Sequence, residues 1–210
     1  MSGQKGVLFD LDGVIVDTES KYSVFWNEID GIYPTGTVNF STKIKGSNLQ
    51  SILNTYFDSD VHADIVKRLD DFQHNMKYEY FAGAKEFIEE LKSRDIPTCL
   101  VTSSDKKKMQ SLYAQHPEFH SLFNAIITGE MVSKTKPDPE GYLCGAKQID
   151  CDIADCYVFE DSKNGVKAGR NSGAKVIGVA TTLPADEIKP FCDCVITGLG
   201  EFTVEEMLNI

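Results

Sequence analysis

Lys5–Asp10 is a short apolar run that stops abruptly at an acid, and five more runs of the same kind follow it. They are Thr98–Thr102, Ala125–Thr128, Cys156–Glu160, Lys175–Ala180 and Cys194–Thr197. Runs this short, rich in β-branched and aromatic residues and apolar throughout, suit strands buried on both faces. Between them lie helical patterns. Ala84–Arg94 gathers Ala84, Phe87, Ile88 and Leu91 on one face, and Lys106–Gln115 and Glu140–Gln148 follow the same logic. Asp138-Pro139 reads as a helix start with Asp as N-cap, and Gly173 closes a helix over Lys163–Asn171. Strands alternating with helices predict an α/β fold, a Rossmann-like parallel sheet with helices on both faces.

One stretch breaks the rhythm. From Thr18 to Tyr80 helical periodicity appears without clear strands. Val61, Ile65, Leu69, Phe72 and Met76 step by helical intervals, and Val24-Phe25 and Leu49–Leu53 suggest two more helices. A turn-rich link, Gly31–Gly36, separates the first two. The expected organisation is an α/β core over 1–17 and 81–210 with an α-helical module inserted at 18–80.

The 210 residues carry 21 Lys+Arg against 32 Asp+Glu, a net charge of −11. Such a balance disfavours nucleic acid and anionic membranes as partners. It still permits a small anion wherever a local cation receives it. The longest apolar run, Cys156–Phe159, is far short of the ~20 residues a helical membrane span requires. The start, Met1 to Lys5, leads only into a brief apolar stretch, so no secretory signal is expected and the expected compartment is cytoplasmic. No obligate protein partner is evident. None of the six cysteines forms a C-x-x-C pair, so reduced thiols are expected. His116 and His120 have ligand-like spacing but enclose Pro117 and lack an acidic companion, so they read as a surface pair.

Ligands of open parallel sheets bind beyond the carboxyl ends of the strands. Asp10 and Asp12 follow the first run, Thr102-Ser103-Ser104 the second, Lys134 and Lys136 the third, and Glu160-Asp161 the fourth. Four carboxylates in one crevice would raise one another's pKa values unless a cation sits among them. Oxygen ligands suit Mg²⁺, which is usually shared between one or two carboxylates and a substrate phosphate. Lys136 and the Thr102 hydroxyl could hold the other phosphate oxygens. An Asp can attack phosphorus, and a second acid nearby can protonate the leaving oxygen and then deprotonate water. Each piece alone has a bland reading. Asp10–Gly13 could be a turn, Thr102 a strand-end cap, Lys136 a solvated residue, and Glu160-Asp161 a helix entry.

Taken in order, Asp10-Leu-Asp12-Gly-Val-Ile-Val-Asp17-Thr-Glu, Thr102-Ser103, Lys136-Pro-Asp-Pro and Glu160-Asp161-Ser-x-x-Gly165 resemble the four motifs of the haloacid dehalogenase superfamily. The likeness covers essentially the whole chain and is strongest to the β-phosphoglucomutase-like phosphatase branch, whose helical cap is inserted after the first strand. The resemblance implies that Asp10 is nucleophile and metal ligand. It implies that Asp12 is general acid/base, with its backbone carbonyl on Mg²⁺, and that Thr102, Ser103 and Lys136 bind phosphate. Asp161 would be a metal ligand, with Glu160 beside it as a second or outer ligand. Lys134 rivals Lys136, but the family lysine directly precedes proline. Dehalogenation is not expected, because members that perform it lack the acid that Asp12 supplies.

The inserted module departs from the mutases. Tyr22 stands where they carry a histidine, Lys45-Gly46 resembles their substrate loop without its arginine, and Asp105-Lys106 replace their Lys-Asn. Tyr22 and Lys45 are candidate substrate contacts with equally good structural readings. The expectation is a Mg²⁺-dependent phosphatase of a small phosphorylated metabolite, a sugar or polyol phosphate, that forms an aspartyl-phosphate. The alternatives are a phosphosugar mutase, which shares every core residue, and a non-catalytic metabolite-binding domain. A dinucleotide-dependent oxidoreductase is excluded, since no G-x-G-x-x-G follows the first run.

Overall fold

The structure is a computed structural model, and it describes residues 3–45, 47 and 49–210. Met1 and Ser2, part of the leader reading, and Gly46, part of the substrate-loop likeness, lie outside the described residues.

The first apolar run forms β1 (Gly6–Phe9), and a turn leads to β2 (Val16–Asp17). Four helices follow, α1 (Glu19–Ile32), α2 (Phe40–Lys43), α3 (Leu49–Tyr56) and α4 (His62–Asn75). Next come β3 (Glu79–Tyr80), α5 (Ala84–Ser93), β4 (Thr98–Val101), α6 (Lys106–Gln115), β5 (Ala125–Ile127) and α7 (Glu140–Gln148). The chain ends with β6 (Cys156–Glu160), α8 (Lys163–Ser172), β7 (Lys175–Val179), α9 (Ala185–Ile188), β8 (Cys194–Ile196) and α10 (Val204–Leu208).

The six apolar runs assemble into one parallel sheet of order β5-β4-β1-β6-β7-β8. In sheet-strand numbering this is 3-2-1-4-5-6, the doubly wound order, whose ligand crevice opens where the order reverses beside β1. Val7, Leu8 and Phe9 are fully buried, as a central parallel strand demands. Phe9 stacks on Phe159 of the neighbouring strand at 5.0 Å. On one face Tyr142 of α7 and Ala168 of α8 share a buried cluster with Leu8, Val101 and Val158. Burial pushes the Cys99 and Cys156 thiols up to about 12.

Two compact units divide the chain, one running up to Asp17 and from Tyr78 to Ile210, the other Thr18–Lys77. The second unit packs Phe25, Trp26, Ile29, Phe40, Ile52, Leu53, Ile65 and Leu69 into a core of its own. Its aromatic rings interlock, Phe25 stacking on Phe72 at 4.9 Å and Trp26 meeting Phe40 edge-on.

Several local expectations shift. The first helix continues through Gly31 to Ile32, so the Gly31–Gly36 link begins later; Tyr33 and Pro34 end it, the residue before a proline being driven from helical geometry. Val24 faces outward, 58% exposed, while Phe25 points into the core. Pro139 rather than Asp138 is the N-cap of α7, although the Asp138 carboxylate still accepts the Glu140 N–H at 3.0 Å. The two-stranded ribbon of β2 and β3 was not expected, because two residues per strand leave no readable alternation.

Candidate active site

Asp10 stands one residue past β1, and its N–H donates to the Phe159 carbonyl of β6 at 3.0 Å. β6 ends at Glu160, and Asp161 opens the turn into α8. Thr102 follows β4, its N–H donating to the Ile127 carbonyl. Three adjacent strands therefore deliver Asp10, Thr102, Glu160 and Asp161 to one sheet edge.

Lys136 reaches this edge from the loop before α7. Its ammonium contacts Asp10 Oδ1 at 2.6 Å, Glu160 Oε1 at 2.6 Å and the Val101 carbonyl at 3.1 Å. Burial by itself would lower its pKa, but the Asp10 and Glu160 carboxylates outweigh that and hold it above the ordinary lysine value. Lys134 turns away, 69% exposed and 3.5 Å from Asp138. Lys136, Thr102, Ser103 and Tyr142 line a crevice together with Val101 and Ile127. Thr102 is buried and its hydroxyl accepts the Ser104 N–H at 3.0 Å, whereas Ser103 is exposed.

Glu160 is completely buried and saturated. Oε1 takes Lys136 and the Tyr142 hydroxyl at 2.8 Å, and Oε2 takes the N–H groups of Asp161 and Ser162 and the Ser162 hydroxyl. A carboxylate offers about four lone pairs, so five donors leave little for a direct metal bond. Two glycines make room for the acids. A Cβ on Gly165 would overlap the Glu160 carboxyl group, and one on Gly13 would overlap that of Asp161. Gly13 also has φ +79°, a conformation other residues resist.

Among the described residues, Asp10, Glu160 and Asp161 form a cluster whose ligand atoms lie within 4.8 Å of one another, all buried. Three carboxylates against the one ammonium of Lys136 leave a formal charge of 1 − 3 = −2. Burial pushes the Asp10 carboxyl up to about 7; Lys136 opposes the rise, while Glu160 and Asp12 add to it. An all-oxygen, doubly negative donor set fits a hard divalent cation.

Asp12 lies two residues beyond Asp10 in the same turn, its side chain 21% exposed. It accepts from Ser104 Oγ at 3.0 Å and from Lys108 Nζ at 2.6 Å on each oxygen. Ser104 and Ser162 stood in the quoted strand-end stretches without an assigned role, and Lys108 and Tyr142 were not anticipated from sequence. Lys106-Lys107-Lys108 did carry a signal, because cations in the first turn of a helix oppose its dipole.

Tyr22 and Lys45 belong to the Thr18–Lys77 unit. Tyr22 packs on Phe72 at 5.5 Å and its hydroxyl accepts from Gln73 at 3.0 Å. Lys45 is half-buried. Among the described residues no helix is long and apolar enough to cross a membrane.

Comparison with known proteins gives a consistent result. The family model described as haloacid dehalogenase-like hydrolase matches residues 7–179. Hexitol phosphatase A of Escherichia coli is 30% identical over 221 residues, with 98% of this chain and 96% of that protein covered. The bifunctional riboflavin kinase/FMN phosphatase of Arabidopsis thaliana is 29% identical over 95% of this chain, which spans only 55% of that protein's length. Among solved structures, a HAD hydrolase of family IA, variant 3, from Entamoeba histolytica superposes with TM-score 0.83 at 25% identity, covering 98% of both chains.

Proposed function

Because the chain belongs to the haloacid dehalogenase-like hydrolases, we propose that it is a Mg²⁺-dependent phosphatase of a small phosphorylated metabolite, a sugar or polyol phosphate. The observation that carries this reading is the Asp10–Lys136–Glu160 array with Asp161 beside it, at the end of a doubly wound sheet. The relative named hexitol phosphatase A supports a sugar or polyol phosphate as substrate.

Asp10, Asp161 and the main-chain carbonyl of Asp12 would hold the metal, while Glu160 braces Lys136 and the Asp161 turn. A bound divalent cation supplies charge neutralisation for the phosphoryl group and orients it for in-line attack. Thr102, Ser103 and Lys136 bind phosphoryl oxygens. The Asp10 carboxylate attacks phosphorus and forms an aspartyl-phosphate, while Asp12 protonates the departing alcohol oxygen. Asp12 then takes a proton from water, whose oxygen attacks the same phosphorus, releasing phosphate and restoring Asp10. Substrate choice falls to the Thr18–Lys77 unit acting as a cap, with Tyr22 and Lys45 as candidate contacts.

The test is release of inorganic phosphate from a panel of sugar and polyol phosphates with Mg²⁺, by the wild type and by Asp10→Asn. The variant should stay folded and lose turnover by orders of magnitude. Wild-type release from it removes Asp10 as the nucleophile. Isomer formation from β-glucose 1-phosphate without free phosphate would identify a mutase instead.

A further inference from the structure

Lys108 occupies an unfavourable place for a cation. It is the third residue of α6, in the first turn, where the positive end of the helix dipole lies. Lys106 and Lys107 beside it are exposed, so solvent screens them. Lys108 is only 5% exposed, and an ammonium so deeply buried is costly unless an opposite charge meets it closely. Asp12 does so, with both carboxylate oxygens 2.6 Å from Nζ. The backbone secures the lysine from the other side. Asp105 caps α6 by accepting the Lys108 N–H at 2.8 Å, which fixes where the side chain starts.

The same segment grips Asp12 a second time. Ser104 Oγ donates to Asp12 Oδ2, while the Ser104 N–H donates to Thr102 Oγ1. One short stretch from β4 into α6 thus orients both the strand-end hydroxyl of Thr102 and the carboxylate of Asp12. Asp12 nevertheless keeps a side chain 21% exposed.

We propose that Lys108 is a positioning residue for Asp12, locking the carboxylate in the orientation from which it exchanges protons with the leaving oxygen and with water. The inference rests on the reading of Asp12 as the acid/base. Misplacing a reacting group by about 1 Å can cost ~100-fold in rate, so a clamp on its rotamer acts on turnover more than on substrate affinity. An alkyl leaving group needs the proton Asp12 supplies, whereas 4-nitrophenolate departs without one. Loss of the clamp should therefore weigh more on an alkyl ester.

The variants are Lys108→Met, which keeps the stem and removes the charge, Lys108→Arg, Asp12→Asn, and the Lys108→Met/Asp12→Asn double variant. Each is assayed on glycerol phosphate and 4-nitrophenyl phosphate with Mg²⁺. Lys108→Met should lower kcat on glycerol phosphate by about 10- to 100-fold with KM nearly unchanged, and lower it less on the nitrophenyl ester. Lys108→Arg should restore part of the loss, and in the Asp12→Asn background Lys108→Met should add almost nothing. A full additional loss in that background, or a rise in KM alone, overturns the positioning role. Crystal structures of wild type and Lys108→Met give a readout independent of turnover: Asp12 should leave its wild-type rotamer, and an unmoved carboxylate defeats the proposal. Failure of the phosphatase reading itself would show separately, as no release of inorganic phosphate by the wild type from either ester.

Discussion

The carboxylate of Asp161 fills the space where a side chain on Gly13 would begin. Residues 148 positions apart in sequence (161 − 13) thus share one volume at the sheet edge. Gly13 also adopts φ +79°, and its carbonyl accepts from the Thr181 hydroxyl. The short turn after β1 is shaped around an acid that follows β6.

Gly13→Ala should therefore fail twice. The left-handed backbone alone costs about 1–2 kcal/mol for a residue with a Cβ. The new methyl must also displace Asp161. Urea unfolding in EDTA measures the first effect. Calorimetric titration with Mg²⁺ measures the second, where affinity should fall at least tenfold.

The raised Asp10 carboxyl makes a signed prediction for the metal-free protein. Its folded value, about 7, lies above the unfolded value of 3.8, chiefly through burial. The native state thus holds this proton more tightly than the unfolded chain does. Stability from this group is intact below pH 3.8 and is lost as pH rises to about 7. Urea midpoints across that range should show Asp10→Asn gaining on the wild type as pH increases. Metal competes with the same proton, so Mg²⁺ affinity should weaken progressively below pH 7, and pH-independent affinity between 5 and 7 would contradict the assignment.

Tyr142→Phe removes the hydroxyl that donates to Glu160 Oε1 at 2.8 Å and leaves the ring beneath Lys136, 5.0 Å from its ammonium. A buried hydrogen bond to a charged group is worth about 1.5–3 kcal/mol, so unfolding should become easier by that amount. Lys136 still bridges Asp10 and Glu160 in this variant, and kcat should drop only a few-fold.

Ser162→Ala deletes two bonds at once, the α8 N-cap to the Gly165 N–H and the donor to Glu160 Oε2. Cap loss alone costs about 0.5–2 kcal/mol. Ser162→Thr keeps a hydroxyl and should recover most of it in the same thermal-denaturation series.

The strand ends were legible in sequence because a buried strand and the acid that stops it are adjacent along the chain. Phe9-Asp10 and Phe159-Glu160-Asp161 show the pattern without any tertiary information. Thr102 and Lys136 were legible by their order among these ends. Gly13 and Gly165 stood inside the quoted motifs, yet the reason for them became visible only with Asp161 and Glu160 in place. Tyr142 lay inside the predicted helix Glu140–Gln148, and nothing local says that its hydroxyl meets a carboxylate. Lys108 lay inside the predicted helix Lys106–Gln115 with nothing local to pair it with Asp12.

The sequence by itself determined the α/β alternation, the helical character of most of 18–80 and the set of acids at the strand ends. Those are products of local periodicity and of where apolar runs stop. Only the tertiary structure decided which oxygen each donor serves: Lys136 between Asp10 and Glu160, Tyr142 and Ser162 on opposite oxygens of Glu160, and Lys108 across both oxygens of Asp12. Those pairings follow from strand order and from how α6, α7 and α8 pack on the sheet. A buried charge takes whichever partner that packing brings within hydrogen-bonding distance, and sequence separation carries no record of it.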